Sequence, residues 1–221
     1  MHVVAVVVAG SARALTAVAD VPMVLRAVRT LLAGAPAQRV VVIAPDDLRP
    51  DVERVCAGVP VEVRSLAALH DFWAHTVQRP AGTGSDDRVT SGDDVVVLLH
   101  DACRPLAPAE LVTAVLGAVR DGPGVAVPAL PLTDTVKSVD DHGAVTGTPD
   151  RAALRVMQTP IAVRGPLLPA DAWADPLAAV RRHAVAGGEV RTVAGHPAAF
   201  AVSSGWELEI AELIADGRIR L

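Results

Sequence analysis

The side chains best suited to chemistry lie in one short run, His100-Asp101-Ala102-Cys103-Arg104-Pro105, which ends the apolar stretch Val95 to Leu99. A carboxylate such as Asp101 can hold a magnesium ion that bridges phosphates, and an arginine three positions on can clamp a phosphate through two parallel N–H bonds. The same two residues also suit a local salt bridge that caps the following helix, and on their own they do not choose between these tasks. Gly10, directly after the first apolar run, suggests a phosphate-binding turn. Neither a dinucleotide fingerprint nor a P-loop accompanies it, so taken alone it reads better as a plain strand-to-helix connection. Lys137 is the only lysine; every other member of the 20 Lys and Arg residues is arginine. Chemistry that needs an ammonium has that one candidate, because a guanidinium does not reproduce a compact point charge.

Other reactive types are sparse. Cys56 and Cys103 are the two cysteines; they suit a reducing compartment and cannot make a structural zinc site. His70 and His75 miss the i,i+4 spacing of helical metal ligands by one position. His2, His142, His183 and His196 read as surface residues, so no resident metal cluster is expected.

The elements that position the Asp-Arg pair follow from hydrophobic periodicity. Val3 to Val8, Arg39 to Ile43, Val61 to Val63, Val95 to Leu99 and Val125 to Leu130 read as buried strands. Pro22 to Leu32, Asp47 to Cys56, Ser65 to Val77 and Pro108 to Val119 read as the helices between them. Such alternation builds βαβ units around a mainly parallel sheet. Asp101 and Arg104 then fall at a strand's carboxyl end, the edge where open α/β sheets bind ligands. Arg79 to Asp94 reads as a turn-rich surface loop. Two short alternating runs around Asp140-Asp141-His142-Gly143 predict a β-hairpin from Asp134 to Ala153, too small to be stable alone and therefore expected to pack on a second subunit. A helix Pro176 to Ala184, strands Val190 to Val193 and Ala198 to Val202, and a helix Gly205 to Ile214 complete the pattern.

Composition bounds the rest. At 221 residues and 22.8 kDa, with 51% hydrophobic residues, the chain suits one domain with a sizeable core. A formal net charge of -5, a pI near 5.8 and no Lys/Arg block argue against nucleic acid or an anionic membrane as partner. The apolar start MHVVAVVVAG has no basic flank and is too short to span a bilayer, so a buried first strand and a cytoplasmic protein are expected.

The strings "HDACRPL" and "PALPLTDTVKSVDDHGAVTGTPDRAALRVMQTP", with the order of elements, resemble the 2-C-methyl-D-erythritol 4-phosphate cytidylyltransferase family of nucleotidyltransferases. The resemblance is dense from His100 to Pro160. It implies a Rossmann-like three-layer αβα fold over residues 1–221, with a β-hairpin dimerisation arm inserted at about 132–155. It also implies a magnesium-dependent attack of a polyol phosphate on the α-phosphate of CTP, releasing pyrophosphate, as a step of isoprenoid precursor synthesis. Carried over by motif, Asp101 and Arg13 are the catalytic groups, Asp101 serving the Mg2+ ion. Gly10 and Ser11 contact the nucleotide, and Arg104, Thr135, Arg151 and Thr159 surround the polyol phosphate, some across a homodimer.

The departures cluster on the nucleotide side. Family members carry a longer glycine-rich loop with a Pro-Lys pair, whereas "AGSARALTAVADVP" has no lysine. A second family lysine is replaced by Ala201, a glycine pair after the third strand by "RSLAALHDFWAHTV", and a threonine by Ala174. Lys137 is committed to the arm. The resemblance therefore implies a cytidylyltransferase of impaired activity, with a non-catalytic dimeric binding or scaffold protein as the alternative.

Overall fold

The structure, a computed structural model, describes residues 1–35, 37, 39–65, 67–68, 95–168, 173 and 175–220. In chain order the strands are β1 (His2–Val8), β2 (Ala17–Val18), β3 (Val21–Pro22), β4 (Arg39–Ile43), β5 (Glu62–Arg64), β6 (Val95–Asp101), β7 (Val125–Pro131), β8 (Ser138–Val139), β9 (Val145–Gly147), β10 (Arg155–Met157), β11 (Ile161–Arg164) and β12 (Arg191–Ala194). The helices are α1 (Met23–Gly34), α2 (Arg49–Val55), α3 (Ala109–Arg120), α4 (Pro176–Val185) and α5 (Gly205–Ala215). Most of the predicted helix Ser65 to Val77, the predicted loop Arg79 to Asp94, and Ala174 lie outside the described residues.

Runs of valine and leucine make the sheet because branched side chains fill both faces of a buried strand. Its order is β10-β7-β11-β6-β1-β4-β5, with β12 also paired to β7. β1 runs parallel to β4 and β6, β4 to β5, and β12 to β7, while β10 and β11 run against their neighbours. The sheet is thus mainly parallel. On one face Val3, Ala5, Val7, Val42 and Leu98 meet Val24, Val28 and Leu31 of α1 and Val112, Val115 and Val119 of α3. On the other, Val6, Val41, Leu99 and Ile161 meet Trp173 and Val180 of α4. Alternate residues of β1 and β6 feed both cores, so the two strands are pinned in register from above and below.

Two local features differ from the sequence reading. Ala198 to Val202, expected as a strand, is a 3-10 turn at Pro197–Ala199 followed by irregular chain. Pro197 has no N–H for a ladder, and the His196 ring accepts a bond from the Ala198 amide, so the chain is turned rather than extended. β10 and β11 are separated by a bulge. Met157 faces Ala129 and Ala162 faces Ala126, so five steps on one side answer three on β7, and Gln158 and Thr159 fall in the surplus.

Candidate functional site

β6 carries Asp101 to the carboxyl edge because six consecutive buried residues, Val95 to His100, fix the strand and leave Asp101 half-exposed at its end. Asp101 Oδ1 accepts the Cys103 amide at 2.8 Å, and the Asp101 carbonyl accepts the Arg104 amide at 3.0 Å, which makes a tight turn into α3. Oδ1 is thereby engaged. The Cys103 side chain also meets the Asp101 carboxylate.

The turn is sewn to the late segment after β12. Cys103 accepts the Val202 amide on its carbonyl at 2.7 Å, and Arg104 donates from Nη1 to the Ala199 carbonyl at 2.7 Å. Arg104 is largely enclosed, and its Nε has no hydrogen-bond partner among the described residues. Burial lowers its pKa, with the neighbouring Asp101 charge pulling it back up. Cys103 is pushed up to about 11, chiefly by burial and then by Asp101, so it stays a neutral thiol and is no nucleophile.

From the other side the loop after β1 reaches the same late segment. Arg13 Nη1 donates to the Ser203 carbonyl. Two guanidiniums therefore bracket Ala201, one on the carbonyl two residues before it and one on the carbonyl two residues after it. Gly10 and Ser11 begin this loop and are exposed. The loop then forms a 3-10 turn and the β2–β3 hairpin, whose turn residues Ala19 and Asp20 have φ of 45° and 61°. Arg26 of α1 fastens the hairpin by donating twice to the Val18 carbonyl, at 3.0 and 2.8 Å. Beneath it Val18, Met23, Val202 and Ala211 form a closed apolar cluster. A cavity of about 390 Å³ opens beside that cluster, lined by Arg13, Thr16, Met23, Val202, Ser204 and Leu208 among others. α5 begins there with a capping box: Ser204 Oγ accepts the Glu207 amide, while Glu207 accepts from Ser203 and Ser204, which holds its carboxyl down at about 2.

The predicted hairpin is present as β8 paired to β9, with Gly143 at φ 81° in its turn. Thr135 and Arg151 line a second cavity, of about 500 Å³, with Val136, Thr148, Pro149 and Asp150. Arg151 donates to the Thr133 carbonyl at 3.1 Å, and Lys137 to Thr148 Oγ1 at 2.7 Å. Within one chain the predicted residues thus divide. Arg13 lines one cavity, Thr135 and Arg151 line another, and neither lining includes Asp101 or Arg104.

Thr159 stands behind the edge. It is 1% exposed, its Oγ1 accepts the Asp101 amide at 3.1 Å, and it lies 2.8 Å from His100 Nδ1. His100 is fully buried, and burial together with the Arg104 charge lowers its pKa to about 3, so the ring is neutral. Next to it Gln158 pairs twice with the backbone of His196, at 2.9 Å each way. The sequence reading missed His100 and Gln158 as parts of the site, and it took His196 for a surface residue. Nothing in the spacing of these polar side chains marks them as buried; the bulge alone brings them together.

Among the described residues no three His, Cys, Asp or Glu side chains gather into a metal cluster. Magnesium commonly takes one or two protein carboxylates and completes its shell with substrate phosphates and water. A single half-exposed edge carboxylate suits an ion that arrives with a phosphate ligand.

A mainly parallel α/β sheet with an acid and a guanidinium at its carboxyl edge places the molecule in the class of open α/β folds. The chain belongs to the 2-C-methyl-D-erythritol 4-phosphate cytidylyltransferase family, whose model matches residues 5–216. The enzyme of that name from Nocardia farcinica is 39% identical over 220 residues, 96% of this chain and 89% of the relative, and that from Streptomyces avermitilis is 36% identical, covering 93% and 84%. Among solved structures, 4-diphosphocytidyl-2C-methyl-D-erythritol synthase from Anaerococcus prevotii superposes with a TM-score of 0.75 at 17% identity over 97% of this chain and 98% of that one. The Thermus thermophilus cytidylyltransferase gives 0.70 at 23%, over 96% and 98%. These structural likenesses speak to the fold. No helix among the described residues is long and apolar enough to cross a membrane.

Proposed function

We propose that this chain carries out the family reaction, attack of a polyol phosphate on the α-phosphate of CTP with release of pyrophosphate, at a strongly reduced rate. The observation that carries the reading is the edge itself: Asp101 stands half-exposed at the end of β6, Arg104 stands beside it, and the position between Arg13 and Arg104 holds Ala201 instead of an ammonium. Magnesium, held by Asp101 and the nucleotide, would supply charge neutralisation on the phosphates. The protein's own share is positioning: Gly10 and Ser11 border the nucleotide, Arg13 faces its phosphates, and Thr135, Arg151 and Arg104 hold the polyol phosphate.

The reduction in rate follows from the cations. Arg13 and Arg104 are each engaged by a backbone carbonyl, and Lys137 is bound to Thr148 in the arm. A missing preorganised donor costs about 2.7–4 kcal/mol of transition-state stabilisation. Two such losses amount to several powers of ten in rate.

Joining the two cavities calls for a second subunit. Val139 and Val145 of the hairpin and Val156 of β10 are 59%, 65% and 42% exposed, an apolar face that suits a two-fold partner. A homodimer would set the arm of one subunit over the edge of the other.

Melting the protein with and without CTP and magnesium tests the reading. Binding at 100 times the dissociation constant adds about 2.7 kcal/mol to stability, and a Tm that rises with CTP only when magnesium is present is expected. The second reading, a non-catalytic dimeric scaffold, is favoured by the closed apolar cluster around Met23. It predicts no rise at millimolar CTP.

A further inference from the structure

The ladder between β12 and β7 is continued by a side chain. Its last rung pairs Ala194 with Ala129, and the Gly195 amide still donates to the Ala129 carbonyl at 3.0 Å. Gln158 lies in the bulge on the opposite side of β7, with its own amide fixed to the Pro128 carbonyl at 2.8 Å, and its side chain crosses β7 to reach the next residue, His196. Oε1 accepts the His196 amide and Nε2 donates to the His196 carbonyl, each at 2.9 Å. One backbone donor and one backbone acceptor thus fix which end of the side-chain amide is which. Gln158 is 2% exposed, and the two bonds offset the cost of burying its amide. Gly195 makes room for the crossing: a Cβ there would lie 2.5 Å from Gln158 Oε1 and 2.9 Å from Leu130 Cγ.

The locked His196 begins a segment with no ladder of its own. Phe200 to Ser203 is neither helix nor strand, yet the segment takes contacts from both loops of the edge. The Ala199 carbonyl holds Arg104 at 2.7 Å, the Val202 amide donates to the Cys103 carbonyl at 2.7 Å, and the Ser203 carbonyl holds Arg13. The capping box of α5 anchors the far end at Ser204. Gln158 anchors the near end. We propose that Gln158 is a positioning residue, which by locking His196 sets the carbonyls that fix Arg104 and Arg13 at the substrates. It acts only through the segment, since at 2% exposure it touches neither substrate. The proposal rests on the reading of this edge as the nucleotide and phosphate site.

Gln158→Met keeps the length of the side chain and removes both bonds. In the ligand-free protein, hydrogen exchange of the His196 and Val202 amides is followed by NMR against the buried amides of β4. Both are expected to exchange at least about tenfold faster relative to β4, because the segment opens locally once the lock is gone. Faster exchange at His196 alone, with Val202 unchanged, shows bonds that serve only their own residue and overturns the proposal. Affinity for CTP with magnesium is then measured by calorimetry, and Gln158→Met is expected to bind at least about tenfold more weakly than wild type. Equal affinity with a loosened Val202 overturns the positioning role. Should Gln158→Met not fold, the wild type decides: at low urea, His196 and Val202 are expected to exchange through one opening with a shared urea slope, smaller than that of β4. Different slopes at the two amides overturn the proposal. A wild type that binds no magnesium-CTP refutes the functional reading of the edge and the positioning role together, whereas normal binding with unchanged Val202 exchange in Gln158→Met refutes the proposal alone.

Discussion

Asp101 is held by its own turn, so its charge can be removed without disturbing its geometry. Asp101→Asn keeps an oxygen to accept the Cys103 amide and is expected to fold with an unchanged melting temperature while losing the stabilisation by magnesium-CTP; thermal melts with and without the ligand decide this. Glu207 makes the acid dependence of α5 predictable. Its folded pKa of about 2 lies below its ordinary value of 4.5, so its stabilising effect is complete above that ordinary value and is lost as pH falls through about 2. In melts from pH 6 to pH 2, Glu207→Gln is expected to flatten this part of the decline, and an unchanged profile would remove the assignment. At this scale the sequence was partly legible. Asp101 stood out because a wholly apolar run ended on it. Thr159 entered only through the family resemblance, as a residue around the polyol phosphate; its burial was not legible, since a hydroxyl beside proline carries no sign of it and its place depends on a bulge that sequence periodicity cannot register.

At the scale of elements, apolar period and turn residues located β1, β4, β5, β6, β7, β12 and the helices α1 to α5 to within about two residues, the usual uncertainty at element ends, whereas the short strands β2, β3, β10 and β11 were not read from the sequence. The miss at Ala198 to Val202 has a definite cause: small apolar residues read as a strand, but Pro197 and the His196 cap turn the chain. The loop after β1 contains a strained point. Ala19, at φ 45° in a two-residue hairpin, occupies a left-handed position that suits glycine. Ala19→Gly should raise stability by about 1 kcal/mol, or about 2–4 °C in Tm for a chain of this size. A lower Tm would show that the β2–β3 turn is not formed in solution. Helix packing supplies the opposite case. A Cβ on Gly34 would lie 2.6 Å from both the Ala109 carbonyl oxygen and Val112 Cβ, so α1 and α3 meet closely there. Gly34→Ala should cost about 1–3 kcal/mol by overpacking, read by urea denaturation.

Across the whole molecule, the β6 edge that presents Asp101 and Arg104 meets a β1 loop packed on apolar residues, and the proposed reaction needs a second subunit to complete its substrate side. Val139→Asp with Val145→Asp should convert a dimer to a monomer in sedimentation while leaving the fold intact, because both valines are exposed in one chain. The central claim, a cytidylyltransferase scaffold whose cations no longer support fast phosphoryl chemistry, is tested most directly by pyrophosphate release from CTP and methylerythritol phosphate with magnesium. The account predicts turnover more than about a hundredfold below that of an intact family member, and no recovery from Ala201→Lys alone, since loop and late segment act on one site. Turnover within about tenfold of the intact enzyme, only about 1.4 kcal/mol in the barrier, would contradict it and show that Arg13 and Arg104 do the work of the missing lysines.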